Sequence, residues 1–203
     1  MEVFGLSGVA LLVVCCPILL VVALVGYFIT TYNGLVKLKV LVEEAWSGID
    51  VQLKRRYDLI PNLVETVKGY AKHEKKIFEK VAELRSSAMK ATSPEAKGKI
   101  EGELTNTLKT LFAVAENYPE LKANENFNKL QEELSAIEEE IQSSRRYYNG
   151  SVRDFNLKLE VFPTNLVGGL LGFKPREFFE AGEEEKKNVK VDFSEDEKKA
   201  DSK

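Results

Sequence analysis

Histidine and cysteine, the residues that most often carry metal sites and nucleophilic chemistry, are nearly absent from this sequence. Its 203 residues include one histidine, His73, and two cysteines, Cys15 and Cys16. The cysteines are adjacent inside an apolar run, so they cannot join distant segments through a disulfide. Neither a catalytic triad nor a thiolate zinc site can be assembled from these residues. The sequence therefore predicts no enzyme, no metal site and no cofactor.

Two other kinds of site also lack their signatures. A carboxylate-bridged di-metal site in a helical protein needs a Glu-x-x-His pair on each of two helices, but Tyr70 lies three residues before the single histidine. His73 is therefore interpreted as a solvated helical residue. The glycines of the "VGGLLG" stretch are not followed by the "GK[ST]" of a phosphate-binding loop, so we expect a turn there.

An excess of basic charge is missing as well. The net charge is −3, and residues 180–203 carry nine acids against six lysines, so the remainder of the chain is neutral. A nucleic-acid-binding protein would show a basic footprint, and the sequence predicts no such partner. Residues 183–203 are highly charged and poor in aromatic side chains, which predicts a disordered tail.

Charge is absent altogether from residues 3–29. These 27 residues would span about 40 Å as a helix, more than the hydrocarbon core of a bilayer. A cleavable signal peptide is disfavoured because no basic residues precede the run and no small-x-small site follows it. Only Glu2 lies before the run, whereas Lys37 and Lys39 follow it, so we expect a single-pass cell-membrane protein with its N-terminus outside and its C-terminal domain in the cytoplasm.

Four later segments repeat apolar residues every three or four positions, the spacing of one helix face. They cover residues 35–53, 63–88, 100–118 and 127–162. Pro61 predicts a turn between the first two, because a proline disfavours the helical conformation of the residue before it. Ser93 followed by Pro94 predicts the start of the third helix, and Pro163 should end the fourth.

These patterns predict an all-α fold. An N-terminal segment, residues 1–31, contains the transmembrane helix at about 3–29 and continues into an antiparallel up-down four-helix bundle of long helices, residues 32–162. A glycine-rich apolar segment, residues 163–182, follows the bundle and precedes the charged tail.

Polar residues on or beside the apolar stripes are the first group of candidate site residues. Glu74 falls on the stripe of the second predicted helix, and a carboxylate there needs a cationic partner such as Arg55, Arg56 or Arg145. A buried ion pair that fixes helix register is favoured over a catalytic carboxylate, since no second acid or nucleophile accompanies Glu74. We expect two asparagines that share a face of the fourth helix to fix register as well: Asn149 and Asn156.

The apolar C-terminal segment "TNLVGGLLGFKPREFF" supplies the second group. It either packs as a lid on the bundle or contacts the membrane surface, although its glycines argue against a stable amphipathic helix there. The residues that would make this contact are Leu170, Leu171, Phe173, Phe178 and Phe179.

Long stretches of the chain resemble the LemA family of bacterial membrane-anchored proteins. The resemblance rests on "IDVQLKRRYDLIPNLVETVKGYAKHE", "AVAENYPELKANENF", "YYNGSVRDFN", "FPTNLVGGLLGF" and "VKVDF", and it covers about residues 27–193. It implies an N-terminal transmembrane helix, a helical-bundle domain and a cytoplasmic C-terminus. It implies little chemistry, and a magnetosome-associated branch of the family points to a membrane-organising role for some members.

The function that fits these observations is a non-enzymatic scaffold that presents a cytoplasmic bundle to a protein partner at the membrane. The regular stripes also allow homo-oligomers, because such helices can pair between chains. Two alternatives stay open at this point. One is an enzyme or ligand-binding bundle built around Glu74, and the other is direct membrane remodelling through residues 163–179.

Overall fold

The computed structural model describes residues 3–180, with side chains from Cys15 onward, and every regular element in that range is a helix. The all-α prediction is therefore confirmed. The predicted disordered tail, residues 183–203, lies outside the described residues. The helices are α1 (Val3–Lys68), α2 (Lys75–Lys90), α3 (Pro94–Ala115), α4 (Pro119–Lys122), α5 (Glu125–Glu160) and α6 (Thr164–Leu170).

Helix α1 joins the apolar N-terminal stretch and the first helix of the domain without a break. It also runs through Pro61, so the turn predicted there is wrong. Proline has no N–H to donate to the carbonyl four residues earlier, which is that of Tyr57. The Arg85 Nε atom on α2 donates to this oxygen at 2.7 Å instead. A side chain thus satisfies the carbonyl that the proline leaves without a helical donor.

The corner lies at residues 69–74, between α1 and α2. The prediction of one unbroken helix over 63–88 is therefore wrong, and so is the helical placement of His73, which is exposed in a turn. Gly69 follows the last helical residue, and glycine is the weakest helix former after proline. The chain leaves the helix where its intrinsic propensity is lowest.

The chain divides into two compact units. Among the described residues, the first contains residues 3–56 and 135–178, and the second contains residues 57–134 and 179–180. Each unit has its own buried apolar residues among those described. The arrangement of the whole domain as a single four-helix bundle stays a prediction.

In the first unit, α1 and α5 run antiparallel. The rings of Trp46 and Tyr148 lie 5.2 Å apart, and Arg56 contacts Glu138. Ten residues further along α1, from Trp46 to Arg56, the contact on α5 has moved ten residues back, from Tyr148 to Glu138. Their facing stripes bury Leu35, Val42, Ile49, Leu53, Ile141, Val152 and Phe155.

In the second unit, the end of α1 shares a core with α2, α3, α4 and the start of α5. The Ser93 hydroxyl accepts a hydrogen bond from the Ala96 N–H at 3.2 Å with Pro94 at the first helical position, so the predicted start of this helix is confirmed. The rings of Phe112 and Phe127 are 6.1 Å apart and bring α3 against α5. Buried members include Leu63, Val67, Phe78, Val81, Leu84, Leu104, Leu111 and Leu121.

Helix α6 forms in the glycine-rich segment, where the glycines argued against a stable amphipathic helix. Thr164 and Val167 are buried on its inner side. A Cβ atom on Gly168 would lie 2.8 Å from a Leu159 methyl carbon and 3.8 Å from one of Leu35. The missing side chain therefore allows α6 to lie close to α1 and α5, and this packing outweighs the low helix propensity of glycine.

Candidate functional site

The buried ion pair of the first unit joins Arg56 and Glu138. The Arg56 Nη1 atom lies 2.5 Å from the Glu138 Oε2 atom, and the guanidinium is almost fully buried while the carboxylate is about a quarter exposed. A buried guanidinium requires a compensating charge, because desolvation otherwise disfavours the folded state by several kcal/mol. The sequence named Arg56 as one of three possible partners of Glu74, and in the structure Arg56 contacts Glu138.

The other polar residues named from the sequence are dispersed. Glu74 is half-buried at the position before α2, where its backbone carbonyl accepts from the Ile77 N–H at 3.1 Å. Arg55 is exposed and donates to Gln52 Oε1 at 3.2 Å. Arg145 and Asn149 are half-buried on α5.

A second buried polar cluster lies in the second unit. The Tyr57 hydroxyl donates to the Glu101 carboxylate, and both side chains are buried. Arg85 reaches the backbone carbonyl of the same tyrosine. These contacts join the end of α1 to α2 and α3. A hydrogen bond between a buried phenol and a buried carboxylate holds neighbouring helices in one register.

The structure also contains an open groove of about 460 Å³ in the second unit, between the end of α1 and the start of α2. Its floor is apolar and its edge carries three lysines and one acid. In the part of the chain that the structure describes, no group of three or more His, Cys, Asp or Glu side chains is placed to hold a metal ion. The groove is lined by Val64, Lys68, Ala71, Lys72, Lys75, Phe78, Glu79 and Ala82.

Residues 173–178, which we call the C-terminal strap, are fastened to α5 in the first unit. The Asn156 amide donates to the Arg176 carbonyl at 2.9 Å and accepts from the Arg176 N–H at 2.8 Å. Two turns earlier on α5, the Tyr148 hydroxyl donates to the Glu177 carbonyl at 2.8 Å. The Arg176 guanidinium also reaches Glu43 on α1 at 3.1 Å. The Asn156 side chain thus forms two hydrogen bonds with the Arg176 backbone, the donor and acceptor pattern that a neighbouring β-strand would provide.

The electrostatics of the strap centre on Tyr148. Burial raises the pKa of its hydroxyl to about 12, while the Arg176 charge lowers this pKa and the Glu177 charge raises it by smaller amounts. The phenol is consequently neutral at physiological pH. It acts as a hydrogen-bond donor, and the Trp46 ring packs beside it.

The five residues named for a lid or membrane contact divide into two sets. Phe173 is half-buried, with its ring 6.3 Å from that of Tyr32 and 6.4 Å from that of Phe155. Phe179 is buried in the second unit. The remaining three are exposed: Leu170, Leu171 and Phe178.

Sequence reasoning missed several residues of these sites. Glu101 continues the stripe of Leu104, Leu108 and Leu111 by a step of three, so the phase of that stripe already placed a carboxylate on the apolar face. The strap partners of Asn156 had no comparable signal, because their contacts join segments 20 or more residues apart. Phe162, just before α6, and Leu166, on α6, are highly exposed and were also not named as site residues.

These observations define a class: an all-α protein with one N-terminal helix that is long and apolar enough to cross a membrane. The model of the LemA family matches residues 45–193. Protein LemA of Metamycoplasma hominis is 31% identical over 187 residues, covering 88% of this chain and 83% of that protein. The chain belongs to the LemA family.

Two magnetosome proteins are also similar to this chain. Magnetosome protein MamQ 2 of Paramagnetospirillum magneticum is 25% identical over 189 residues, or 80% of this chain and 70% of that protein. Magnetosome protein MamQ of Magnetospirillum gryphiswaldense is 23% identical over 198 residues, or 85% and 73%. None of these three names is that of an enzyme.

Proposed function

We propose that this protein is a single-pass, membrane-anchored scaffold whose helical domain lies in the cytoplasm and binds a protein partner at the membrane. The observation that carries the proposal is the continuity of α1. Every residue from Cys15 to Thr30 is exposed although nearly all are apolar, while the same helix buries its stripe from Leu35 onward. In this proposal one continuous helix serves as the anchor and as part of the domain core.

The polar contacts of the domain support a structural role. Arg56 with Glu138 and Tyr57 with Glu101 each join two helices, and Arg56, Tyr57 and Glu101 are buried. Such pairs specify register, which is the best-attested use of buried polar residues. The names of the relatives support this proposal too, since two of them are magnetosome proteins. A scaffold that organises membrane-bound components is consistent with those names.

The test is photo-crosslinking in intact cells. A photoreactive amino acid replaces one exposed apolar residue of the domain at a time, at Val51, Met89 or Tyr147. We expect light to produce at least one discrete protein adduct in the membrane fraction, and the same cells kept in the dark serve as control. An adduct of twice the chain mass would identify a second copy as the partner. Membrane-bound, folded protein that gives no adduct at any position would contradict the scaffold.

A further inference from the structure

Helix α6 presents an apolar stripe to the outside. Leu166 and Leu170 are 59% and 81% exposed, and their spacing of four places them on one side of the helix. Phe162, two residues before α6 begins, is 78% exposed. The opposite side is packed, since Thr164, Val167 and Gly168 are buried. Leu166 and Leu170 thus form one exposed apolar face of α6, and we call these two residues together with Phe162 the stripe.

The position of α6 beside α1 shows what lies next to this stripe. Among the described side chains of α1, the first buried one is Thr31, two residues after the predicted transmembrane stretch of residues 3–29 ends. The Phe173 ring contacts the Tyr32 ring, and Gly168 faces Leu35. One helical turn rises about 5 Å, so these contacts lie within about two turns of the expected bilayer boundary.

The charges around the stripe favour a lipid surface over an apolar protein surface. Lys37 on α1, Lys158 at the end of α5 and Lys174 after α6 are exposed. Between Lys158 and Lys174 the only acid is Glu160. Lysines that border an apolar face can bind anionic headgroups while the apolar side chains enter the acyl region.

We propose that α6 is a second, interfacial membrane contact, in which Phe162, Leu166 and Leu170 insert into the leaflet that α1 leaves at residues 29–32. The inference rests on the membrane anchoring proposed above. It adds that the domain lies against the lipid surface through a second point, so its orientation to that surface is restricted.

Spin-label accessibility in lipid nanodiscs tests this contact with the full chain. The native cysteines are first replaced by Cys15→Ala and Cys16→Ala, and single labels are then introduced by Leu166→Cys and Leu170→Cys. Collision with oxygen, which concentrates in lipid, is compared with collision with a water-soluble nickel chelate in discs containing phosphatidylglycerol. Leu24→Cys provides a label in the apolar run, and Val51→Cys provides one on an exposed position of the domain.

We expect the oxygen-to-nickel ratio at positions 166 and 170 to exceed that at 51 and to approach that at 24. A ratio equal to that at 51 would overturn the inference, because the stripe would then face water. Low collision with both reagents would overturn it as well, because a protein surface would then cover the stripe. Nickel access at position 24 would instead overturn the membrane anchoring itself, so the two failures are distinguishable.

Discussion

Arg56 shows at the residue scale how a charged side chain can occupy an apolar stripe. It continues the buried positions Ile49 and Leu53 toward Ile60, and Glu138 neutralises it from α5. The charged end of this side chain is deeply buried while its partner keeps some contact with water. The two residues therefore respond differently to substitution.

Replacing Glu138 while keeping Arg56 is expected to destabilise the folded state. Glu138→Ala should lower the free energy of unfolding of the first unit by about 3 kcal/mol, since it removes the charge facing a buried guanidinium. The measurement is urea unfolding followed by the fluorescence of Trp46, the only tryptophan of the chain. Glu139→Ala, at an exposed neighbouring position, is the matched control and should change stability by less than about 0.5 kcal/mol. Equal effects of the two variants would contradict a structural ion pair.

Tyr148 predicts a defined alkaline pH dependence. Its folded-state pKa of about 12 exceeds the ordinary value of 10.0, so the folded state retains its proton where the unfolded state loses it. The stabilisation is fully present below about pH 10 and is lost as the pH rises toward about 12. The stability difference between the wild type and Tyr148→Phe should stay constant up to about pH 10 and then shrink, as measured by Trp46 fluorescence. A difference that is independent of pH up to 12 would show that the phenol is not buried.

Sequence reasoning at this scale named Arg56 only as one of three possible partners of Glu74, together with Arg55 and Arg145. The predicted stripe of the first helix ended at Leu53, whereas the structure extends it through the buried residues Arg56 and Ile60. Glu138 lies 82 residues away from Arg56 in the sequence. Any acid on the face of α5 that packs against α1 would also have met the need of a buried arginine for a carboxylate. Glu74 was an incorrect choice of stripe residue, because the helix on which the stripe was drawn ends at Lys68. Its expected pairing with an arginine stays a prediction.

At the scale of elements, Pro61 inside α1 depends on a neighbouring helix. Arg85→Met removes the donor to the Tyr57 carbonyl and should destabilise the second unit by about 1–3 kcal/mol. Pro61→Ala restores an N–H at position 61, so it should stabilise the Arg85→Met protein more than it stabilises the wild type. Hydrogen exchange of the amides of residues 57–68 measures this double-mutant cycle. If the stability effects of Arg85→Met and Pro61→Ala simply add, the Arg85 hydrogen bond does not compensate for Pro61.

The packing of Gly98 against the end of the described chain gives a second prediction at this scale. A Cβ atom there would lie 2.4 Å from the Glu180 backbone carbonyl oxygen, which cannot rotate away. Gly98→Ala should therefore lower the free energy of unfolding by about 1–3 kcal/mol and speed amide exchange at residues 179–180. Gly48→Ala is the control, because nothing lies within 4 Å of its added Cβ, and it should stabilise α1 by about 0.5–1 kcal/mol. Stabilisation by both variants would contradict the close approach.

Local signals decided some element boundaries and tertiary contacts decided others. Ser93 with Pro94 and the proline after α5 were sufficient, because a cap and a missing N–H act within one turn. Pro61 was misleading because its effect on the helix is offset by Arg85, 24 residues further along the chain. The apolar stripe that continues through Ile60, Leu63 and Val67 was the better guide to the end of α1.

At the scale of the whole molecule, the orientation of the domain is open to a direct measurement. With Cys15 and Cys16 replaced by alanine, Met89→Cys places a single exposed thiol on α2. We expect a membrane-impermeant maleimide to leave this thiol unlabelled in intact cells and to label it after lysis, because the lysines that follow the apolar run favour the cytoplasmic side. The control is Glu2→Cys, which should be labelled in intact cells. The reverse pattern would place the domain outside.

The sequence by itself determined the helical class, the apolar membrane-length run and the position of the Ser93 cap, because each depends on residues within one or two turns of each other. Only the tertiary structure decided that α1 continues to Lys68, that Arg56 meets Glu138, and that Asn156 fastens the C-terminal strap. Those contacts join segments 20 to 82 residues apart. Periodicity shows which face of a helix is buried, but the packing of distant segments selects the groups that meet there.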